Sequence, residues 1–268
     1  MGTRSERVTL LTLTVLALSP LNLGGGQEPK AGPFVPGETL SYDVTWSVFP
    51  AGEVTAVVRK GNKPARDAYE VDTTARSKGF ASVLFKVQND FHSLFDPESV
   101  CSLQISKKIN EGRRHRESQI VFDAKRRLAI FDEHDLSNPA AAPKHAENEI
   151  PPCVQDVISA FYFLRKQSLE VKQKFAIPVN DGSKTRLVVA DVQARERIQT
   201  PFGSRFAFRV EPKVFGDLYK RKGRLLVWIS DDAQRLPLRI KALVSVGAIT
   251  GTLKSVTTGP ALSASAKP

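Results

Sequence analysis

The sequence predicts a mainly β protein: one large antiparallel, strongly curved sheet or incompletely closed β-barrel, a meander of about a dozen strands with one amphipathic helix packed on it. Three observations carry this. The stretch 223–253, GRLLVWISDDAQRLPLRIKALVSVGAITGTL, alternates with period two on both sides of a polar turn. Leu225, Val227 and Ile229 oppose Leu226 and Trp228, and then Leu236, Leu238, Ile240, Ala242 and Val244 oppose Pro237, Arg239 and Lys241. Successive strand side chains point to opposite faces, so one face is buried and the other wet. The same alternation recurs along the chain between hairpin-length turns. Only one segment, 154–167, carries an apolar stripe at helical spacing.

The elements follow in order. Residues 38–47 alternate Leu40, Tyr42, Val44 and Trp46 against Ser41, Asp43 and Thr45. Phe49-Pro50-Ala51-Gly52 reads as a turn, 53–60 as the return strand and 68–77 as a third strand. Residues 78–85, KGFASVLF, lose the alternation and read as a short helical or bent connection with an apolar cluster. Strands resume at 86–95, 100–109, 113–123 and 126–131. The segment 132–152, rich in Pro, Ala, Asn and charge, reads as one long irregular loop. It leads into the helix, where Val154, Val157, Ile158, Phe161 and Leu164 share a face. Strands then return at 171–179, 185–197 and 206–210, ahead of 223–253.

The ends read differently from the body. Residues 1–26 have Arg4 and Arg7, an apolar run and small residues at Gly24-Gly25-Gly26, the expected pattern of a cleaved signal peptide. Residues 27–36 read as a flexible leader, 37–256 as a single all-β domain and 257–268 as a disordered tail. Export to a periplasm follows as an expectation, with no segment integral to a membrane. Cys101 and Cys153 are the only cysteines, and in an oxidising compartment they are expected to pair. Closing that loop would stabilise the fold by about 4 kcal/mol in the chain-entropy model.

The net charge is +11, and loss of Arg4, Glu6 and Arg7 lowers it by one. In an exported chain this points away from nucleic acid and toward lipid head groups or another anionic envelope component. Catalytic signals are weak. Gly182-Ser183-Lys184-Thr185 lacks the upstream glycine of a phosphate loop and precedes a strand. No Gly-x-Ser-x-Gly elbow or His-Glu-x-x-His helix occurs. His134 beside Asp135, and His145 near Glu147 and Glu149, have donor chemistry without fixed ligand spacing. Asp231-Asp232 fits a turn better than an acid–base pair, and 110–116 reads as a basic hairpin tip. No catalytic residue, cofactor or metal is expected. Trp46, Trp228, Leu238, Ile240 and Phe161 are the candidate wall residues of a ligand cavity or of a filled core.

Four segments carry a family resemblance: GETLSYDVTWSVFPAGE at 37–53, LFDP at 94–97, DVISAFYFLR at 156–165 and VWISDDAQRLPLRI at 227–240. Together they resemble the bacterial family called domain of unknown function 3108. The resemblance implies an exported, mostly antiparallel β protein and supplies no catalytic residues. At the level of shape it is similar to the periplasmic lipoprotein carriers, whose unclosed sheet holds acyl chains under a helical lid; fold alone does not fix function. The leading expectation is a non-enzymatic periplasmic protein that binds a hydrophobic or amphipathic envelope ligand. The alternatives are an envelope assembly factor acting through protein contacts and a hydrolase of envelope polymer.

Overall fold

The structure, a computed structural model, describes residues 32–61, 67–214, 223–245 and 247–259. The elements are β1 (Glu38–Trp46), β2 (Phe49–Lys60), β3 (Tyr69–Ser77), α1 (Gly79–Leu84), β4 (Gln88–Phe95), β5 (Ser102–Glu111), β6 (Arg114–Asp123), β7 (Leu128–Asp135) and β8 (Lys144–Glu149). After them come α2 (Ser159–Lys166), β9 (Lys174–Asn180), β10 (Thr185–Thr200), β11 (Gly203–Val214), β12 (Arg224–Ser230), β13 (Pro237–Val244) and β14 (Gly247–Thr258). All 14 strands join one sheet in the order β8-β7-β6-β5-β4-β3-β2-β1-β14-β13-β12-β11-β10-β9. The chain walks outward from β1 to β8, crosses through α2, and walks back from β9 to β14, which pairs with β1 antiparallel.

The sheet is not closed, because β8 and β9 share no ladder. Side chains and a strap cover the seam instead. Asn180 Nδ2 donates to Asn148 Oδ1 at 2.7 Å, and Asn148 Nδ2 donates to the Gly182 carbonyl at 3.2 Å. Gln155 adds a parallel bridge to β9: its N–H reaches the Pro178 carbonyl, and its carbonyl accepts from Asn180 N–H, both at 2.9 Å. Exposed strand edges are templates for unwanted pairing, and this strap covers one. Gly182 sits here at φ +110°, where an added Cβ would come within 2.5 Å of the Phe131 ring, so both its backbone and its space call for glycine.

The register defines an inner face. At the Glu38 end of the sheet it is filled. Phe34, Val58, Val71, Phe95, Val100 and Tyr162 form one buried cluster, and Leu164 and Leu169 pack with Ile177, Val192, Phe208, Val227 and Ile229 in another. Helix α2 supplies Tyr162 and Leu164 to these clusters and so plugs this end. Its Arg165 is 1% exposed and makes a bidentate pair with Glu38, at 2.6 and 2.7 Å. The same guanidinium donates to the carbonyls of Pro33 and Gln234 and lies 5.3 Å from the ring centres of Phe34 and Tyr162. A charge this deep persists because it is paired and hydrogen-bonded. Burial, with the neighbouring Glu38 carboxylate, pushes the Tyr162 hydroxyl above its ordinary value against the pull of Arg165.

The Cys101–Cys153 disulfide, with Cα atoms 5.0 Å apart, ties the start of β5 to the segment ahead of α2. Alongside it Asp156 is fully buried, yet satisfied. Its Oδ2 accepts from the hydroxyls of Ser93 and Ser102, and its Oδ1 from the N–H groups of Ile158 and Ser159.

Several sequence expectations change. Residues 49–52, expected as a turn, open β2, where Phe49 pairs with Trp46 and Gly52 with Val44. The helix is shorter than 154–167, because 154–156 serve as strap and cap before α2 starts. The expected irregular stretch 132–152 contains the end of β7 and all of β8. Strand β8 pairs on one side only and is wet on most of its residues, so it has no hydrophobic alternation to read. The expected flexible leader is anchored in its described part by Phe34, 5% exposed and edge-on to Tyr162 at 4.9 Å. Strand β14 continues to Thr258, past the expected boundary at 256. Residues 1–26, expected as signal peptide, and 260–268 of the tail lie outside the described residues.

Candidate ligand cavity

At the Trp46 end the inner face is empty where the Glu38 end is full, and the register explains why. Reading across the sheet, Ser77 opposes Gly52, Gly52 opposes Val44, Val44 opposes Gly251 and Gly251 opposes Ile240. One row deeper, Ala75, Val54, Tyr42 and Leu253 stand side by side. Small side chains in adjacent positions leave space that no neighbour fills. The result is a cavity of about 780 Å³ lined by these residues except Leu253, together with Trp46, Ala242, Val244, Ile249 and, from the α1 connection, Ala81, Leu84 and Phe85. Its volume lies within the roughly 300–1,000 Å³ typical of small-molecule sites. Gly52 has a second role: an added Cβ would collide with the Arg76 carbonyl, so glycine lets β2 and β3 approach here.

A second cavity of about 520 Å³ adjoins it, sharing Ala242 and Val244. It is lined by Phe161 and Leu164 of α2, by Ile177, Val179 and Val188, and by Leu225. Together the two make an apolar trough along the β1, β2, β12, β13 and β14 wall that ends on α2. Further round the sheet the inner positions differ. Along β5 to β7 the inner positions change from Ile105, Ile120 and Phe131 to Lys107, Arg116, Glu133 and Asp135. Arg116 reaches Glu133 at 3.2 Å and Asp135 at 3.4 Å, and Lys144 reaches Glu133 at 2.7 Å. Lys107 donates to the Asp181 carbonyl at 3.2 Å. Burial lowers its pKa, against the opposing pull of Asp156, Asp181 and Glu133. The cavities themselves are mostly apolar, with Glu53, Arg76 and Glu111 in the lining of the larger and Asp181, Arg186 and Arg224 in that of the smaller.

The candidate wall residues separate into two groups. Trp46 and Ile240 line the larger cavity and Phe161 the smaller one. Leu238, 2% exposed, and Trp228, 7% exposed, belong to a packed cluster instead. Trp228 alternates with Val227 and Ile229 and faces away from them; its Nε1 donates to Glu196 Oε1 at 2.6 Å, and Arg239 lies 5.8 Å from its ring centre. Sequence reasoning passed over Gly52, Ala75, Ala242 and Gly251, whose smallness makes the space. Their signal is the absence of a large side chain at inner positions, readable only once the register is known.

The residues weighed for chemistry lie elsewhere. His134 and Asp132 border an outer-face groove of about 640 Å³ with Asp72, His92, Lys108 and Glu117. Its charges pair across strands: Asp72 with Arg59 and with His92 Nδ1, and Lys108 with Glu117 at 2.8 Å. His145 Nδ1 lies 2.8 Å from Asp132 Oδ1, and these contacts hold its pKa above the usual histidine value. Asp232 Oδ1 accepts from the N–H groups of Gln234 and Arg235, and Asp231 pairs with Arg195 and Arg235. Among the described residues no three His, Cys, Asp or Glu side chains converge as a metal site. None of the described helices is long and apolar enough to cross a membrane.

Comparison with known proteins places this architecture. No curated protein matches the chain by sequence. Among solved structures, the fold is similar to a β-barrel-like protein of the domain of unknown function DUF1849 from Brucella abortus, with a TM-score of 0.56 and 8% identity. That likeness covers 82% of this chain and 97% of the other and speaks to the fold alone. The family model for a protein of unknown function, DUF3108, matches residues 41–254, from β1 into β14, and the chain belongs to that family.

Proposed function

We propose that the protein is an exported, non-enzymatic periplasmic binder of an amphipathic envelope ligand, held with its acyl or other apolar part in the trough between β1, β2 and β12 to β14. The observation that supports this reading is the 780 Å³ cavity, whose mostly apolar lining carries the charged groups Glu53, Arg76 and Glu111 among it. An apolar chain in the trough gains about 0.8 kcal/mol per buried methylene. A polar head finds Arg76, Glu53 and Glu111 in the same lining.

The test is displacement of a fluorescent fatty acid, with Gly251→Leu and Ala242→Phe as cavity-filling variants. A Cβ at Gly251 meets nothing nearer than 4.0 Å, so the added side chain fills space rather than straining the strand. Each variant is expected to weaken binding by at least about tenfold while the protein stays folded, because occupied volume is lost to the ligand. Wild-type protein that takes up no probe, and carries no lipid when purified from its host and weighed by native mass spectrometry, would overturn the reading.

A further inference from the structure

The Trp46 end carries a second feature. Three turns meet there. Lys78 N–H bonds to the Ala51 carbonyl, Gly112 N–H to the Lys86 carbonyl and Ser47 N–H to the Ala248 carbonyl, which fixes the α1 connection, the β5–β6 tip and the β1–β2 tip around the cavity mouth. These turns expose Val48 (80%), Val83 (80%), Phe80 (75%), Phe49 (69%), Leu84 (59%) and Phe85 (55%). Helix α1 buries none of its residues, has no side-chain N-cap and no acidic residue in its first turn. So short a helix gains its stability from packing an apolar face, and this one turns only Ala81 and Leu84 toward the cavity while Phe80 and Val83 stand in water. Large exposed apolar groups clustered on projecting turns mark an interaction site.

The charges beside them identify the partner. Lys86, Arg113 and Arg114 are exposed on the same turns and make no ion pair among the described residues, with Glu111 as the carboxylate opposite Arg114 in the β5–β6 ladder. Lys78 pairs with Glu53. Aliphatic and aromatic tips beside an excess of exposed cations suit an anionic lipid surface, where apolar side chains enter the acyl boundary and cations meet phosphate. A second copy of the chain fits poorly, because a twofold contact would set these cations against themselves.

We infer that the Trp46 end docks on an anionic membrane surface through Val48, Phe49, Phe80 and Val83, with Lys86, Arg113 and Arg114 as its electrostatic fringe, placing the cavity mouth against the bilayer. The inference deepens the ligand reading above, since a mouth so placed passes an amphiphile between bilayer and trough without exposing it to water.

The experiment is flotation with vesicles of phosphatidylcholine alone or mixed with phosphatidylglycerol, in parallel with the fluorescent fatty-acid assay on the same variants. Wild type is expected to float with the mixed vesicles and to be released as salt rises. Phe80→Asp with Val83→Asp should weaken vesicle binding by about 100-fold, roughly tenfold for each lost apolar insertion. Lys86→Gln with Arg113→Gln and Arg114→Gln should weaken it by about 100-fold on mixed vesicles only, at roughly fivefold per charge. All five retain fatty-acid binding, whereas Gly251→Leu loses fatty acid and still floats. Failure of the docking inference and failure of the ligand reading are thereby separable. Phe202→Asp, at the β10–β11 tip of the opposite end, should change nothing. Wild type that ignores mixed vesicles, tip variants that float like wild type, or an equal loss from Phe202→Asp would each overturn the inference, the last by showing adhesion without a face.

Discussion

The two ends of this sheet are built from the same backbone pattern and put to opposite uses. At the Glu38 end the inner positions hold Val58, Val71 and Phe95, and α2 drives Tyr162, Leu164 and Arg165 between them. At the Trp46 end the corresponding positions hold Gly52, Ala75, Ser77 and Gly251, and α1 lies beside the opening with no residue buried. A curved sheet of 14 strands encloses more volume than one short helix fills. Where the filler stops, side-chain size alone decides between core and cavity. Packing and open space are thereby segregated: one end holds the fold together and leaves the other free to be hollow.

That segregation can be broken from the plugged end first. Arg165→Ala should have the largest effect, a loss of about 3–5 kcal/mol, because it leaves Glu38 buried without its partner. Urea denaturation followed by Trp fluorescence measures it. The double variant Arg165→Met, Glu38→Leu should recover most of the loss, since no charge then remains buried. A double variant as unstable as the single would mean that the hydrogen bonds from Arg165 to Pro33 and Gln234 matter more than the ion pair. Next comes Cys101→Ser with Cys153→Ser. The bond spans 52 residues, and its loss should cost about 2–4 kcal/mol with little change in fatty-acid binding, because it closes the end away from the cavity. Equal stability of the oxidised and reduced proteins would show that the buried Asp156 network already holds β5 to the α2 segment.

The same contrast explains what the sequence revealed. Strand β13 was legible because it puts Leu238, Ile240 and Ala242 on one face and Arg239 and Lys241 on the other, and β12 because its apolar run is bounded by a polar turn. Cys101 and Cys153 were legible as a pair because no other cysteine competes. Strand β8 was not, since KHAENE has no buried face to impose alternation. Phe34 was not, since a lone aromatic among Pro and Gly carries no period, and its anchoring depends on Tyr162 and Arg165 far along the chain. The cavity was least legible of all. Val44 and Gly251 come from opposite ends of the chain, and only their pairing turns four small residues into one space. Trp46 and Ile240 were named as wall residues from alternation, which locates a face but cannot say whether that face is filled.

A smaller effect sharpens the hollow end. Gly251→Leu and Val83→Asp should each change stability by less than about 0.5 kcal/mol, since neither site supports packing. The same urea titration measures this. A large loss from Val83→Asp would mean that α1 is part of the core of the protein rather than a face turned outward.

The smallest effect is acid sensitivity at the plugged end, where the loop after β4 is clasped by α2. Lys166 Nζ donates to the carbonyls of Pro97 and Glu98, at 3.1 and 2.6 Å. Asp96 Oδ1 accepts from the hydroxyl and N–H of Ser99, each at 2.7 Å, and from the N–H of Glu98 at 3.2 Å. Partial burial works to raise the Asp96 pKa, but these hydrogen bonds and the nearby Lys166 ammonium outweigh it and hold the carboxyl below its ordinary value. A carboxylate depressed on folding contributes stability that is present above the unfolded pKa, near 3.9, and is lost as pH falls through the lower folded value. Asp96→Asn keeps an acceptor oxygen but removes the charge. It should therefore be less stable than wild type near pH 7, with the gap narrowing as pH drops below about 4 because wild type then loses its own charge. Urea midpoints of the two proteins across that range decide the matter, and a gap that stays constant assigns the difference to the turn's hydrogen bonds instead of the ionised carboxylate.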